Sequence, residues 1–135
     1  MLQSTPKELF AGWHFTMDGI VSAEKAPNLG NPRFIETVLL DLVKLLEMQV
    51  LVAPNFVEVP TNPAKVETDE DEGGVTGTCI ITTSHLSIHT WPLRERFSMD
   101  VFSCREFDNA KCDRFLREHF GVTTATTHLI RRNWP

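Results

Sequence analysis

Residues 82–92 read Thr-Thr-Ser-His-Leu-Ser-Ile-His-Thr-Trp-Pro. Leu86 and Ile88 recur among polar neighbours with the period of two that marks a strand with one buried face. A strand of this kind belongs in a sheet packed on one side only, and here the segment carries histidines, serines and threonines in quick succession. Its polar side is either plain solvated surface or a site.

The rest of the chain supports a sheet covered by helices. Trp13, Phe15 and Met17 alternate with His14, Thr16 and Asp18 as in a half-buried strand. Asn31 and Pro32 form an N-cap followed by a proline at the first helical position. Ile35, Val38, Leu39, Leu42, Leu45 and Leu46 then follow at helical spacing to about Met48. Residues 49–59 read as a second strand, ended by Pro60 and Pro63, and 60–74 as a loop. Strands are expected at about Val75–Thr90 and Phe97–Cys104. A helix capped by Asp108 and stopped by Gly121 follows, with Cys112, Phe115, Leu116 and His119 on one side. A β-branched strand, Val-Thr-Thr-Ala-Thr-Thr-His-Leu-Ile-Arg-Arg, closes the chain. The reading is an α+β fold of order β-α-β-β-α-β, a two-layer sandwich with helices on one face of a largely antiparallel sheet.

The chain has 135 residues, 41% of them hydrophobic, which fits a single domain spanning 1–135 with one core. No run approaches the ~18–20 apolar residues of a membrane span, and the first ten residues lack the pattern of a secretory signal. Three cysteines, Cys79, Cys104 and Cys112, are an odd number without metal-type spacing. Together these point to a reduced, cytoplasmic compartment and no membrane partner. The net charge is −5, but five of the 18 acidic residues lie at Glu67 and Asp69–Glu72, leaving 13 acidic against 13 basic. Nothing suggests a nucleic-acid surface. The acidic run itself reads as a solvated loop, because like charges so dense resist packing.

His85 and His89 share a strand face, but four residues of strand separate them by ~13 Å. Two ligands of one zinc each need a nitrogen about 2.0–2.1 Å from it, so no metal site is expected. Ser84, a histidine and Asp100 include the residue types of a hydrolase, without a nucleophile elbow.

The segment Gly-Val-Thr-Gly-Thr-Cys-Ile-Ile-Thr-Thr-Ser-His-Leu-Ser-Ile-His-Thr-Trp-Pro (74–92), followed by Met-Asp-Val-Phe-Ser-Cys (99–104), closely resembles the prokaryotic S-adenosylmethionine decarboxylases. Members of that family make a pyruvoyl cofactor from an internal serine. The resemblance implies that the Ser84 hydroxyl attacks the Thr83 carbonyl to form an ester. Elimination across Ser84 then divides the chain into a β chain, 1–83, and an α chain, 84–135, whose first residue is left as a dehydroalanine that hydrolyses to the pyruvoyl group. By the same resemblance His89 takes the proton during elimination and Thr76 supports the ester. Cys104 returns a proton to the substrate carbon, and Trp91 stacks on the adenine.

Three positions depart from the family pattern. Thr83 replaces a glutamate, Arg105 a glycine, and Leu93 the glutamate that holds the ribose hydroxyls. Leaving a ribose without its carboxylate acceptor costs ~1.5–3 kcal/mol. Phe56 is the candidate for a second aromatic against the substrate. A basic amino acid, arginine or ornithine, is an alternative substrate, with Glu95, Glu106 or Asp108 as its distal anchor, and an uncleaved regulatory relative is another reading. Finally, Ser84 and His89 lie five residues apart, ~16–17 Å in an extended strand and pointing to opposite faces. A homodimer of the two-chain unit, with each His89 serving its partner's Ser84, is therefore expected.

Overall fold

In the computed structural model, residues 9–68 and 70–135 are described; Asp69 of the acidic run and the first eight residues, read above for a signal, lie outside them. Six antiparallel strands form one sheet: β1 (Phe10–Val21), β2 (Asn55–Val59), β3 (Gly74–Ile81), β4 (Ser84–Trp91), β5 (Arg96–Ser103) and β6 (Val122–Asn133), in spatial order β2-β3-β4-β5-β1-β6. Two helices, α1 (Pro32–Leu45) and α2 (Asn109–Phe120), lie on one face. The α+β class and the two layers are those expected.

Capping residues set the helices where the sequence places them. The Asn31 side chain accepts from the N–H groups of Arg33 and Phe34 at 3.0 and 3.3 Å, and Asp108 accepts from Lys111 N–H at 3.0 Å. Gly121 ends α2 at φ 67°. Helix α1 stops three residues before Met48. Glu47 turns left-handed at φ 58°, and the Met48 N–H returns to the Val43 carbonyl at 2.9 Å.

Ile35, Val38, Leu39, Leu42 and Val43 of α1 and Cys112, Leu116 and Phe120 of α2 form one core with the inward residues of the strands. Those include Phe15 and Met17 of β1, Leu86 and Ile88 of β4, and Phe97, Met99 and Val101 of β5. Fully burying each aliphatic side chain contributes about 1.5–3 kcal/mol. Phe115 is partly buried against the core and His119 is exposed, and their rings stack with centroids 3.8 Å apart.

Three expectations are corrected. The stretch 75–90 is not one strand but a hairpin, β3 and β4, joined at Thr82–Thr83, and the order is β-α-β-β-β-β-α-β, two strands more than the expected order. A two-residue hairpin usually needs Gly or Asn for its positive φ; here the positive φ falls instead on Ser84, the first residue of β4. Residues 49–59 are mostly not strand. Pro54 has no N–H for a ladder, and β2 begins only at Asn55. The acidic run is not wholly solvated. Glu72 is buried and its carboxylate lies 3.2 Å from Arg94 Nε.

Candidate active site

The sheet face opposite the helices carries no second layer among the described residues. Register across β3, β4, β5 and β1 lines up His89 with Thr76 on one side and Ser98 on the other, and Ser98 in turn with Asp18. The next rung aligns Thr78, Ser87, Asp100 and Thr16, and the next Ile80, His85, Phe102 and His14. Several of these polar groups pair directly. Thr76 Oγ1 and His89 Nδ1 are 3.1 Å apart, Ser98 Oγ donates to Asp18 at 2.6 Å, and His14 Nε2 lies 2.8 Å from Asp100. The polar side of β4 is thus a shared surface rather than a lone exposed strand.

Two glycines of the Gly74–Gly77 stretch have structural work here. A Cβ on Gly74, at φ 147°, would run into the carbonyl of Thr90, and one on Gly77 would meet the ring of Phe56. Thr90, buried on the helix side, donates to the Leu29 carbonyl at 2.6 Å and accepts from Val75 N–H at 2.8 Å. It ties the hairpin to the turn that precedes α1.

The expected site residues fall into two groups at opposite ends of β4. At the far end are Thr76, His89 and Trp91. The His89 and Trp91 rings are stacked, with centroids 6.4 Å apart. Trp91 borders a cavity of about 660 Å³ lined also by Asp18, Glu70, Asp71, Arg94 and Ser98.

At the near end are Thr83, Ser84 and Cys104. Ser84 pairs with Ser103 of β5 and Ile81 of β3, and has φ 146°. That region is close to glycine-only, and holding another residue there costs on the order of 1–3 kcal/mol. The strain sits on the residue that follows the Thr83–Ser84 bond. The carbonyl of Thr83 accepts the Cys104 N–H at 2.8 Å. The side chain of Thr83 is held as well, accepting from Ser103 Oγ at 3.0 Å, while Ser103 Oγ accepts Arg105 N–H at 3.1 Å. A cleft of about 290 Å³ opens beside these groups, lined by Glu47, Gln49, Thr83, Ser103 and Arg105.

Between the two groups β4 is continuous, paired residue by residue on both sides without a bulge. Five residues of such strand span ~16–17 Å, so His89 does not reach Ser84 within one chain.

Two expected substrate residues stand apart. Phe56 turns toward the helix side, where its ring covers Gly77 and packs on the core. Leu93 lies in a 3-10 turn, Pro92–Arg94, and borders a different cavity, shared with Gly30, Asn31, Glu58 and Thr61. Neither joins Trp91. Of the acidic residues considered for a basic substrate, Glu95 closes that turn at φ 56°, Asp108 caps α2, and Glu106 borders both a cleft with Lys111 and the cleft beside Thr83 and Ser103.

Sequence reading missed Ser103 and the backbone of Cys104. A signal for Ser103 exists, since it continues the buried alternation Phe97, Met99, Val101 with a hydroxyl. The Cys104 N–H has none. Cys104 is exposed, whereas Cys79 and Cys112 are buried and all three thiols are free. Burial raises the Cys79 thiol, and burial with the nearby Asp113 charge pushes Cys112 up to about 12. Among the described residues no three His, Cys, Asp or Glu gather as a metal site, and no helix is long and apolar enough to cross a membrane.

Comparison with known proteins adds lineage to this geometry. The S-adenosylmethionine decarboxylase family profile matches residues 14–133. The S-adenosylmethionine decarboxylase proenzyme of Thermococcus kodakarensis is 28% identical over 122 residues, covering 90% of this chain and 76% of that protein. The proenzyme of Pyrococcus furiosus is 25% identical over 122 residues, covering 90% and 78%. The crystal structure of the adenosylmethionine decarboxylase from Aquifex aeolicus is similar in fold, with a TM-score of 0.69 at 23% identity over 92% of both chains.

Proposed function

Because the chain belongs to the S-adenosylmethionine decarboxylase family, we propose that it is a self-cleaving decarboxylase of S-adenosylmethionine whose reactive group arises from Ser84. That group, a pyruvoyl, supplies an electrophilic carbonyl that captures the substrate amine and accepts electrons as carbon dioxide leaves.

The observation that carries the reading is the state of the Thr83–Ser84 bond. Ser84 is held at φ 146° while the preceding carbonyl rests on the Cys104 N–H at 2.8 Å. The residues present therefore fit the making of such a group. When Ser84 Oγ adds to the Thr83 carbonyl carbon, negative charge develops on an oxygen that already has a donor. The C–N bond then breaks, its nitrogen takes a proton, and Thr83 becomes an ester on Ser84. Removal of the Ser84 Cα proton expels the Thr83 carboxylate, parts chain 1–83 from chain 84–135 and leaves a dehydroalanine, which takes up water and loses ammonia to become the pyruvoyl group. Strain at Ser84 favours that direction, because cutting the bond releases the constraint.

Other residues serve binding and proton transfer. His89, fixed by Thr76, is the base for the elimination. Cys104, whose side chain is exposed beside the cleavage point, holds the proton that returns to the substrate carbon. Trp91 offers a flat face to the purine at the edge of its cavity. The unlayered sheet face and the span between Ser84 and His89 support a homodimer in which His89 acts on the partner's Ser84. Three unpaired thiols fit a reducing, cytoplasmic setting.

The test is an intact-mass spectrum of the purified protein with an assay of carbon dioxide released from S-adenosylmethionine. Two chains divided at Thr83–Ser84, one chain for Ser84→Ala, and activity in the wild type alone are expected. A persistently full-length wild type would overturn self-cleavage; a cleaved protein inert on S-adenosylmethionine but active on arginine or ornithine would overturn the substrate.

A further inference from the structure

We propose that the Ser103 hydroxyl is a positioning residue for chain cleavage, acting through the side chain of Thr83. The inference rests on the self-cleavage reading and adds to it a residue and a role for position 83.

Ser103 occupies the inward position that follows Phe97, Met99 and Val101, and is only 1% exposed. A hydroxyl in an apolar stripe is costly unless bonded. Its two bonds are both specific: it donates to Thr83 Oγ1 at 3.0 Å and accepts Arg105 N–H at 3.1 Å. The intervening Cys104 N–H holds the Thr83 carbonyl at 2.8 Å. Two consecutive residues, Ser103 and Cys104, thus grip Thr83 at two points, its side chain and its acyl oxygen, and the Arg105 N–H braces the Ser103 hydroxyl.

Two anchors do what one cannot. A single bond to the carbonyl oxygen leaves the peptide plane free to swing about that contact. The second, on a β-branched side chain with restricted χ1, fixes the direction in which the carbonyl carbon faces Ser84. Addition of Ser84 Oγ to that carbon closes a five-membered ring, so small rotations of the carbonyl decide whether attack is possible. The grip also stays on the acyl half when the C–N bond breaks, since neither anchor involves the departing nitrogen. Thr83 Oγ1 is therefore a required acceptor.

Cleavage is followed from synthesis in a cell-free translation reaction, by electrophoresis, with thermal melting of the full-length and processed species as the check on folding. Thr83→Val, which keeps the shape and removes the hydroxyl, slows cleavage about tenfold, the effect of losing one hydrogen bond of ordinary strength. Thr83→Ser keeps the hydroxyl but not the β-branch, and cleaves faster than Thr83→Val and more slowly than the wild type. Ser103→Ala slows cleavage as Thr83→Val does, and the double variant is no slower than the slower single one. If Ser103→Ala does not fold, the Thr83 pair decides alone. Thr83→Val cleaving at the wild-type rate, or a double variant slowed by the product of the two single effects, overturns the proposal while leaving self-cleavage intact. A wild type that never cleaves overturns both.

Discussion

Cys104 reaches Thr83 with its backbone: the N–H donates to the Thr83 carbonyl at 2.8 Å, while its thiol stands on an exposed side chain. In the proposed mechanism one residue therefore has two separable parts, a donor for cleavage and a sulfur for the decarboxylation that follows.

That separation predicts the behaviour of two substitutions. Cys104→Ala retains the N–H, so the chain still divides, and decarboxylation falls by about 10²–10⁴-fold with loss of the proton donor. Cys104→Pro removes the N–H, and cleavage slows by about 10²–10³-fold. Electrophoresis and carbon dioxide release measure the two effects. Cleavage lost in Cys104→Ala would show that the sulfur, not the backbone, serves the first reaction.

His89 lies beside Thr76, at the other end of β4 from Ser84. Co-expression of Ser84→Ala and His89→Ala chains bearing different tags should give cleaved His89→Ala chains, because a partner supplies the missing ring. Each variant expressed alone should remain whole. Mixed dimers that stay uncut would place both residues in one protomer and require β4 to bend.

Arg94 holds the acidic loop from inside. Its Nε lies 3.2 Å from the buried Glu72 carboxylate, and its Nη2 donates to the carbonyls of Val66 and Glu70 at 3.0 and 3.1 Å. Arg94→Met leaves a buried charge without compensation and is expected to cost about 3–5 kcal/mol of stability, read from the urea midpoint. Adding Glu72→Leu should recover part of the loss. An unchanged midpoint for Arg94→Met would mean that the loop contributes nothing to the folded state.

Cys112 predicts an alkaline limit. Its folded thiol is pushed up to about 12 from an ordinary 9.0 by burial, then by Asp113. Between those values the unfolded chain has released the proton and the folded one has kept it. Stability is thus fully present below pH 9 and falls as pH rises toward 12, by at most about 1.4 kcal/mol per unit from this group. Cys112→Val should flatten that slope in denaturant titrations, and a slope unchanged by the substitution would assign it to other groups.

Local signals in the chain are enough to place its helices and most of its sheet. Asn31, Pro32, Asp108 and Gly121 act on backbone groups within a few residues, and the apolar periods of 35–46 and 97–103 declare which side is buried. The run from Ser84 to Trp91 likewise shows its odd-numbered polar face. The Thr82–Thr83 turn was not legible, because neither residue is a turn former and the required positive φ is taken up by Ser84 under the pull of the strands on either side. Pairings between residues remote in sequence were also hidden. Ser103 meets Thr83 and Cys104 meets the Thr83 carbonyl because β5 lies against β4 in one register, and a shift of one residue would turn every one of those groups to the other face. The register of β2 on β3 likewise sends Phe56 to the core. Capping and periodicity are properties of neighbouring residues, whereas register is decided by packing the whole inward face against α1 and α2, and the cleavage proposed at Thr83 depends on that register.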